Sequence, residues 1–461
     1  MKTPTIQVRV FSWLMLAVIA SGRATGATAA DARRPNILLI VSDDMGFADV
    51  GFHGGKDIPT PHLDALAGGG VRFTDAYVSA PYCSPSRAGF LTGRYQQRFG
   101  FEFNPKAKTQ GLPSSESTLG DRLKKAGYVT GFIGKWGLGD QPSHHPHQRG
   151  FDEFFGFLIS KTILRGTERV NEKELLDEAF RREAEAFIST HQGKRWFLCL
   201  SFNAVHTPLT AGDAKVRQFA HIADASRRKY AAMLSDMDDA IGSVRRTIDA
   251  AGLERDTLII FLNDNGGPTV AGTAVNASSN APFRGGKRTL LEGGIRVPIV
   301  ISWPGRIEPG VYRQPVISLD IVPTVLSAAG AAMPAEAKID GVNLLPFLSG
   351  DHRDSPHAAL FWRMGPQIAI RAGDYKLVRY DDVVDTGEDV GNRSRLTPFK
   401  VTPAKLYRLS DDASETNDLA ASHPEKVRDL QSQWDRWNAT LAKPMWTDSR
   451  IDGTNAKLAA P

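Results

Sequence analysis

Cysteine is scarce in this chain, because 461 residues contain only two. Two cysteines cannot build a disulfide scaffold or a cysteine-rich zinc module, so both classes are excluded. Apolar runs long enough to span a bilayer are also lacking, since a transmembrane helix needs about 20 consecutive apolar residues. The hydrophobic fraction of 41% and the charged fraction of 23% are those of a globular protein. Long disorder, collagen and coiled coil are therefore excluded.

Clusters of basic residues are missing as well, although the net charge is +5. The first 30 residues carry Lys2, Arg9 and Arg23 and no acidic residue, and without these three cations the net charge falls to +2. The other lysines and arginines are scattered along the chain. We therefore expect no nucleic-acid partner.

The N-terminus has the pattern of a secretion signal. Lys2 and Arg9 precede the apolar run 11–20, and Ala27-Thr28-Ala29 offers a small-residue cleavage site. Residues 1–30 are predicted to be a signal peptide, so we expect an exported protein, periplasmic or secreted, without stable membrane insertion. An uncleaved membrane anchor is the alternative interpretation.

Apolar runs alternate with helical patterns over much of the chain. The runs 36–41, 128–133, 196–202 and 257–262 are nearly continuous, as in strands buried on both faces. Helical patterns occupy 119–126 and the stretch from Tyr230 to Ile248. The alternation predicts an α/β fold over residues 31–350, with a large, mostly parallel sheet flanked by helices.

The pattern changes after residue 350. Short runs at 367–371 and 375–380 resemble strands, and Val427, Leu430 and Trp434 share one face of a predicted helix. We predict a smaller C-terminal α+β domain at 351–442, with an antiparallel sheet and a packed helix. Residues 443–461 are predicted to be an extended tail.

Polar residues follow the predicted strands directly. Asp43 and Asp44 end the first strand, and Asp264 and Asn265 end the fourth. The carboxyl ends of parallel strands meet at one edge of the sheet, where ligands bind. Oxygen donors of this kind suit Ca²⁺ or Mg²⁺, so we predict a metal site. Taken alone, Asp43-Asp44 is equally compatible with a solvated strand end.

The most informative segment is 83–94, Cys-Ser-Pro-Ser-Arg-Ala-Gly-Phe-Leu-Thr-Gly-Arg. Pro85 suits the first turn of a helix, which puts Cys83 at the helix N-terminus, where an anion is favoured. Arg87 lies one turn further on. A cysteine at such a position is otherwise often a small buried hydrophobic residue. Cys199, inside an apolar run, is predicted to be a thiol in the core.

This segment resembles the signature of the type I sulfatases, a formylglycine-dependent family of the alkaline phosphatase superfamily. The resemblance extends from about residue 35 to about residue 442. Further segments match in the family's order: 35–51, 134–136, 149–152, 206–208, 264–267, 284–287, 292–298, 320–324, 406–407 and 415–420.

The resemblance implies a sulfuric ester hydrolase in which a maturation enzyme converts Cys83 to formylglycine, whose hydrated aldehyde is the nucleophile. The implied catalytic residues are Cys83, Arg87, Lys135, His206 and Lys287. The implied metal ligands are Asp43, Asp44, Cys83, Asp264 and Asn265, with Ca²⁺ favoured over Mg²⁺. The implied substrate is a sulfated small molecule or glycan.

One position departs from the family pattern. The family usually carries histidine two residues after the lysine of Gly-Lys-Trp, and this chain has Gly137. We hypothesise that His145, in a nearby histidine-rich segment, takes part of that role or contacts substrate. A surface loop is the alternative interpretation of that segment. Two other functions stay open: a phosphonate or phosphodiester hydrolase of the superfamily, and a sulfoglycan-binding protein without turnover.

Overall fold

The structure is a computed structural model that describes residues 1–2, 34–270, 274–333, 338–386 and 400–447. Apart from Met1 and Lys2, the predicted signal peptide lies outside the described residues, as does the predicted tail beyond residue 447. The chain divides into two units, Met1–Arg34 and Pro35–Pro461. The fold below belongs to the second unit.

Among the described residues, sixteen strands and eleven α-helices alternate along the chain. The strands are β1 Asn36–Ser42, β2 Val71–Phe73, β3 Ala76–Tyr77, β4 Val129–Lys135, β5 Glu153–Phe157, β6 Leu164–Arg165, β7 Glu168–Arg169, β8 Trp196–Ser201, β9 Thr257–Asn263, β10 Ile299–Ser302, β11 Gly310–Tyr312, β12 Val316–Ile317, β13 Leu360–Met364, β14 Gln367–Ala372, β15 Tyr375–Arg379 and β16 Lys405–Arg408. The helices are α1 Pro61–Gly68, α2 Cys83–Thr92, α3 Leu119–Lys125, α4 Leu176–His191, α5 Asp213–Gln218, α6 Ala225–Ala250, α7 Glu292–Ile295, α8 Ile321–Ala328, α9 Leu345–Leu348, α10 Val383–Thr386 and α11 Pro424–Asn438.

Ten strands form one large sheet in the order β11-β2-β10-β9-β1-β8-β4-β5-β6-β7. The five central strands, from β9 to β5, run parallel to one another. Antiparallel strands flank them, with β10 beside β9 and β6 beside β5. The predicted fold class, a large and mostly parallel sheet, is confirmed.

The central strand β1 shows why its sequence is an uninterrupted apolar run. Ile37, Leu39 and Val41 belong to the core on one face of the sheet, while Leu38 and Ile40 belong to the core on the other. All five side chains are fully buried. A strand covered on both faces leaves no position for a polar side chain until it ends.

Helices cover both faces of this sheet. Residues of α4 and α6, including Phe180 and Tyr230, pack in the core that contains Leu38. Residues of α2 and α8, including Phe90 and Val322, pack in the opposite core. The predicted helix at 119–126 is α3, which ends one residue earlier than predicted.

The C-terminal part forms an antiparallel four-stranded sheet in the order β13-β14-β15-β16. Helix α11 packs on it through Leu430, Trp434 and Trp437, and Trp434 donates a hydrogen bond to the carbonyl oxygen of Trp362, 3.0 Å away. The predicted antiparallel sheet with one packed helix is therefore confirmed. Its core is continuous with one core of the large sheet, and the boundary at residue 350 stays a prediction.

None of the helices in the described part of the chain combines the length and the apolar character that crossing a bilayer requires.

Candidate active site

The carboxyl ends of two adjacent strands bring four oxygen-bearing side chains together. β1 and β9 pair in parallel with Ser42 opposite Asn263, so the residues that follow them are neighbours. Asp43, Asp44, Asp264 and Asn265 are all fully buried there. The Asn265 side-chain amide donates to Asp44 Oδ1 at 2.8 Å. We refer to these four residues, with Cys83, Arg87, Lys135, His206 and Lys287, as the central cluster.

Cys83 enters this cluster from the first position of α2. Its Sγ lies 3.5 Å from Asp43 Oδ1 and 4.0 Å from Asp44 Oδ1. The side chain is 2% exposed, and burial together with the charge of Asp264 raises the pKa of the thiol. As an encoded thiol, Cys83 is therefore a poor thiolate nucleophile.

Two lysines place positive charge beside the carboxylates of Asp43 and Asp44. Lys135, at the end of β4, donates from Nζ to Asp43 Oδ2. Lys287 Nζ lies 2.6 Å from Asp44 Oδ1 and 2.7 Å from Asp44 Oδ2. Burial opposes the charged form of both lysines, but Asp43 raises the pKa of Lys135 and Asp44 raises that of Lys287. Both lysines are therefore cationic at neutral pH.

Arg87 connects three neighbouring segments, although its Nη2 makes no hydrogen bond to the described residues. Its Nε and Nη2 lie 3.0 Å and 2.9 Å from Asp264 Oδ2. Its Nη1 donates to the carbonyl oxygen of Lys135 at 2.9 Å and to Ser201 Oγ at 2.6 Å. With 1% exposure, the guanidinium ties α2 to the ends of β4, β8 and β9. This geometry suits a residue that orients the others.

His206 reaches the cluster from the segment after β8. Its Nδ1 lies 2.6 Å from the carbonyl oxygen of Thr207, which assigns a proton to that nitrogen, and its Nε2 lies 3.6 Å from Asp44 Oδ2. Burial lowers the pKa of the imidazole. The Nε2 atom is therefore the ring nitrogen directed toward the cluster.

The carboxylates fit a divalent cation. Asp43, Asp44, Cys83 and Asp264 each offer a ligand atom, and these atoms lie within 4.8 Å of one another. Asn265 Oδ1 is buried and accepts no hydrogen bond from the described residues. Burial and the charge of Asp43 raise the pKa of Asp264 to about 7. An orphaned oxygen beside crowded carboxylates is the arrangement that a hard cation satisfies.

A family model described as Sulfatase matches residues 35–331, and one described as N-sulphoglucosamine sulphohydrolase, C-terminal, matches residues 285–433. The chain belongs to the sulfatase family. Mouse N-acetylgalactosamine-6-sulfatase (Mus musculus) is 34% identical over 395 residues, which cover 77% of this chain and 74% of the mouse protein. Arylsulfatase A of Bos taurus is 32% identical over 464 aligned residues, and the match covers 90% of this chain and 87% of the bovine protein.

Among solved structures, the crystal structure of Ps i-CgsB has a TM-score of 0.81 and 31% sequence identity. The match covers 92% of this chain and 97% of that one. With these similarities, this sulfatase is a sulfuric ester hydrolase.

The position that lacks the usual histidine faces the central cluster of this sulfatase. A Cβ atom on Gly137 would lie 3.3 Å from Arg87 Cδ and 3.7 Å from Ser84 Oγ, and the backbone φ is +77°. The left-handed conformation suits glycine and strains other residues. The described contacts place no imidazole there.

His145 lies apart from these contacts. Its Nε2 is 3.1 Å from the carbonyl oxygen of Gly166, and its Nδ1 accepts from the backbone nitrogen of His147 at 3.2 Å. The ring packs edge-on against Phe154. The His145 side chain is 7% exposed, whereas Pro142 and Ser143 in the same segment are exposed. Its hypothesised role in catalysis stays a prediction that none of these contacts supports.

Three supporting residues were not among the predicted site residues. Ser201 bridges Arg87 and the carbonyl oxygen of Lys135, to which it donates at 2.8 Å. Asn276 donates to the carbonyl oxygens of Asp44 and Val205, each at 2.9 Å. Asn263 accepts from Ser42 Oγ at 2.9 Å. Ser201 lies near the end of the predicted strand 196–202 and Asn263 directly follows the predicted strand 257–262, which was the only signal in the sequence for these two residues. The sequence gave no signal for Asn276.

Proposed function

We propose that this sulfatase removes sulfate from sulfated carbohydrates, with Cys83 matured to formylglycine and one bound Ca²⁺. The observation that carries the proposal is the central cluster, in which three carboxylates, two lysines, an arginine and a histidine surround a cysteine at a helix N-terminus. Matured by a formylglycine-generating enzyme, the side chain at position 83 supplies a hydrated aldehyde as nucleophile.

Asp43, Asp44, Asp264 and Asn265 would hold the cation together with the side chain at position 83. The oxygen donors suit either Ca²⁺ or Mg²⁺, and Ca²⁺ is preferred because of the family resemblance and because exported proteins meet calcium. When bound, the cation supplies positive charge that stabilises a nucleophilic oxygen and the sulfate oxygens. The orphaned oxygen of Asn265 and the raised pKa of Asp264 support this assignment.

The cationic side chains would bind the sulfate group. Lys135 and Lys287 already face carboxylates at hydrogen-bond distance, and both retain exposed surface, 13% and 7% of their side chains. Their ammonium groups are placed to oppose the negative charge that spreads over the sulfate oxygens in the transition state. Arg87 would orient Asp264 through Nε, and its Nη2, which makes no hydrogen bond to the described residues, would add positive charge beside the sulfate.

His206 would hold or deliver a proton at the leaving oxygen. Its Nδ1 proton is fixed by the Thr207 carbonyl oxygen, so Nε2, the atom that faces the cluster, is the one that would take up or give a proton. A protonated Nε2 donates to the alcohol oxygen as the bond to sulfur breaks. The side chain is 23% exposed, which leaves a route for exchange of that proton with water.

A carbohydrate substrate is supported by relatives. Ps i-CgsB, 31% identical to this chain, has been crystallised in complex with k-i-k-neocarrahexaose. The mouse relative is named N-acetylgalactosamine-6-sulfatase. We also propose that residues 1–30 direct export, which would expose the enzyme to polysaccharides outside the cytoplasm.

Turnover of paired substrates tests the function. Matured protein is assayed on an aryl sulfate, an aryl phosphodiester, an aryl phosphonate ester and a panel of sulfated oligosaccharides, with Cys83→Ala as the control. We expect the sulfate esters to be hydrolysed fastest and the control to be inactive. Faster turnover of the phosphorus esters would replace the proposal with a phosphonate or phosphodiester hydrolase. Saccharide binding by the matured protein without sulfate release would identify a non-catalytic binding protein.

A further inference from the structure

Asp44, one of the carboxylates of the central cluster, has an unusual backbone conformation. Its φ is 63°, in the left-handed region that glycine favours and other residues rarely adopt. Its backbone nitrogen donates to Asp264 Oδ1 at 3.3 Å, and its carbonyl oxygen accepts from Asn276 Nδ2 at 2.9 Å. Conformations of this kind persist where the surrounding structure holds them. Hydrogen bonds on both sides of Asp44 therefore fix the direction of its carboxylate.

Asn276 reaches a second segment of the central cluster with the same amide group. Its Nδ2 also donates to the carbonyl oxygen of Val205 at 2.9 Å, and Val205 directly precedes His206. Asn276 is 1% exposed, so both donated hydrogen bonds are made away from solvent. Because a buried carbonyl oxygen needs a donor, this one side chain ties the backbone of Asp44 to the segment that carries the imidazole.

The loop that carries Asn276 is itself anchored to a buried charge. Asp49, which is fully buried, accepts from the backbone nitrogen of Ser279 at 3.0 Å. Arg227, in the first turn of α6, donates from Nη1 to Asp49 Oδ1 at 2.8 Å and to the carbonyl oxygen of Ala277 at 3.0 Å. A guanidinium that serves a carboxylate and a carbonyl oxygen together holds the loop in one place. The position of Asn276 is thus set from outside the central cluster.

We propose that Asn276 is a positioning residue that fixes the carboxylate of Asp44 relative to the imidazole of His206. Loss of its amide would release the carbonyl oxygens of Asp44 and Val205 together. Cation affinity and proton delivery to the leaving oxygen would then both fall, whereas loss of a side chain that serves only the fold would change neither in the protein that stays folded. This inference rests on the proposed function and adds a residue to its machinery.

Calcium affinity tests the role toward Asp44. The Kd for Ca²⁺ is measured by calorimetry on metal-free native protein, Asn276→Ala and Asn36→Ala. We expect Asn276→Ala to bind Ca²⁺ about tenfold more weakly, the size expected for one lost hydrogen bond. Asn36 is the matched control, because it is fully buried at the opposite end of β1 and accepts from the backbone nitrogen of Trp196 at 3.3 Å. An unchanged Kd in Asn276→Ala would overturn the inference.

Two leaving groups test the role toward His206. Nitrophenyl sulfate releases a stable phenolate, whereas a sulfated saccharide releases an alcohol oxygen that requires a proton. With saturating Ca²⁺, the kcat of matured Asn276→Ala should fall about tenfold further on the saccharide than on nitrophenyl sulfate. Asn36→Ala should show no such difference. An equal fall in kcat on both substrates would overturn the inference.

Arg227→Lys is a second variant that keeps the test open if Asn276→Ala fails to fold. Lysine retains a positive charge for Asp49 but lacks the planar fork that also reaches the carbonyl oxygen of Ala277. The substitution loosens the loop from the side of α6 and leaves every member of the central cluster in place. We expect a loss of Ca²⁺ affinity in the same direction, about threefold. Native affinity in Arg227→Lys would overturn the inference.

Hydrogen exchange of the metal-free protein separates this inference from the proposed function. The backbone nitrogen of Val205 donates to the carbonyl oxygen of Asp43 at 2.7 Å, so its exchange rate reports how firmly the two segments are joined. Faster exchange at Val205 in Asn276→Ala than in Asn36→Ala would support positioning, even in a protein that hydrolyses no sulfate ester and so rejects the proposed reaction. Equal exchange in both variants, with sulfate ester hydrolysis by the native enzyme, would reject the positioning role alone.

Discussion

Two buried clusters of charge differ in their access to solvent. The central cluster gathers its charges at the ends of β1, β4 and β9. The second, which we call the C-terminal charge cluster, joins the large sheet to the C-terminal sheet through Glu292, Lys376, Glu415, Arg296, Arg371 and Asp75. In it, Lys376 Nζ lies 2.8 Å from Glu292 Oε1 and 2.9 Å from Glu415 Oε1, and all three side chains are fully buried.

The C-terminal charge cluster is closed. Arg296 contacts both Glu292, at 3.2 Å, and Asp75, at 2.9 Å. Burial alone would raise the pKa of Glu292, but Lys376 and two arginines lower it to about 2.

Glu415 resembles Asp264 of the central cluster, because burial raises the pKa of each carboxyl group to about 7. The two clusters differ in exposure: 23% of the His206 side chain and 13% of the Lys135 side chain are exposed, whereas Lys376, Glu292 and Glu415 are fully buried. A cluster closed to solvent joins two sheets, whereas one that reaches solvent can receive a ligand.

Removal of Cys83 should have the largest effect and should separate activity from stability. We expect Cys83→Ala to lower kcat by about 10⁴-fold or more, because the nucleophile is lost, and to leave the melting temperature nearly unchanged. Kinetics and thermal unfolding of the same preparation measure both. Cys199→Ala is the matched control, since Cys199 is a buried thiol inside β8: activity per folded molecule should persist. Substantial turnover by Cys83→Ala would contradict the account.

Breaking the C-terminal charge cluster should have the opposite effect to Cys83→Ala: it should lower stability and leave the activity of the folded protein nearly unchanged. Lys376→Met leaves Glu292 and Glu415 without their shared ammonium group, and removing one partner of a buried ion pair costs about 3–5 kcal/mol of unfolding free energy. Denaturant unfolding measures this loss. The folded fraction should retain near-normal kcat. A large fall in kcat without loss of stability would show that the two clusters are not distinct in function.

Calcium should stabilise the central cluster alone. Because a ligand that binds only the folded state stabilises it, Ca²⁺ at a hundredfold excess over its Kd should add about 2.7 kcal/mol. Chelation with EDTA should abolish activity, and added Ca²⁺ should restore it. Asp264→Asn, which removes one carboxylate of the site, should lose most of the Ca²⁺-dependent rise in melting temperature. An equal rise in both proteins would place calcium binding elsewhere.

The smallest expected effect concerns a buried carboxylate that, unlike those of the two clusters, has no cation beside it among the described residues. Asp177, in the first turn of α4, is 5% exposed, and burial and the charge of Asp236 raise its pKa to about 8. Because this pKa is raised above its unfolded value, the carboxyl group contributes its full stability below about pH 4 and loses it as the pH rises toward 8.

Asp177→Asn should therefore be more stable than the native protein at pH 8, because the amide does not ionise there, although burying the amide has its own cost. The advantage should fade toward pH 4, as measured by denaturant unfolding at both values. A constant difference between pH 4 and pH 8 would show that Asp177 ionises normally in the fold.

The sequence predicted those members of the central cluster that directly follow predicted strands. The apolar runs before Asp43 and Asp264 predicted two buried strands, and parallel strands bring such residues to one edge. That Ser42 lies opposite Asn263 depends on sheet order and register, which no local pattern encodes. The fold class followed from the alternation of strands and helices. The boundaries of the predicted strands differ by about one or two residues, and helix α6 begins at Ala225, before the predicted stretch that starts at Tyr230.

The remaining contacts depend on loop conformation. Asn276 lies in a loop and bridges the carbonyl oxygens of Asp44 and Val205, a contact that exists only once three segments have packed. His145 is close to Gly137 in the sequence and yet does not contact the central cluster. Its nearness in sequence to Gly137 suggested a substitute imidazole, but its ring nitrogens contact the segments at His147 and Gly166. Proximity along the chain does not fix the direction of a side chain in an irregular segment.

The state of residue 83 tests the central claim most directly. Peptide mass spectrometry of the protein from its native host should find the peptide containing residue 83 lighter by the mass that replaces sulfur with oxygen and removes two hydrogens. The same preparation should release sulfate from a sulfated oligosaccharide. An unmodified thiol at Cys83 in a preparation that turns over sulfate esters would contradict the account.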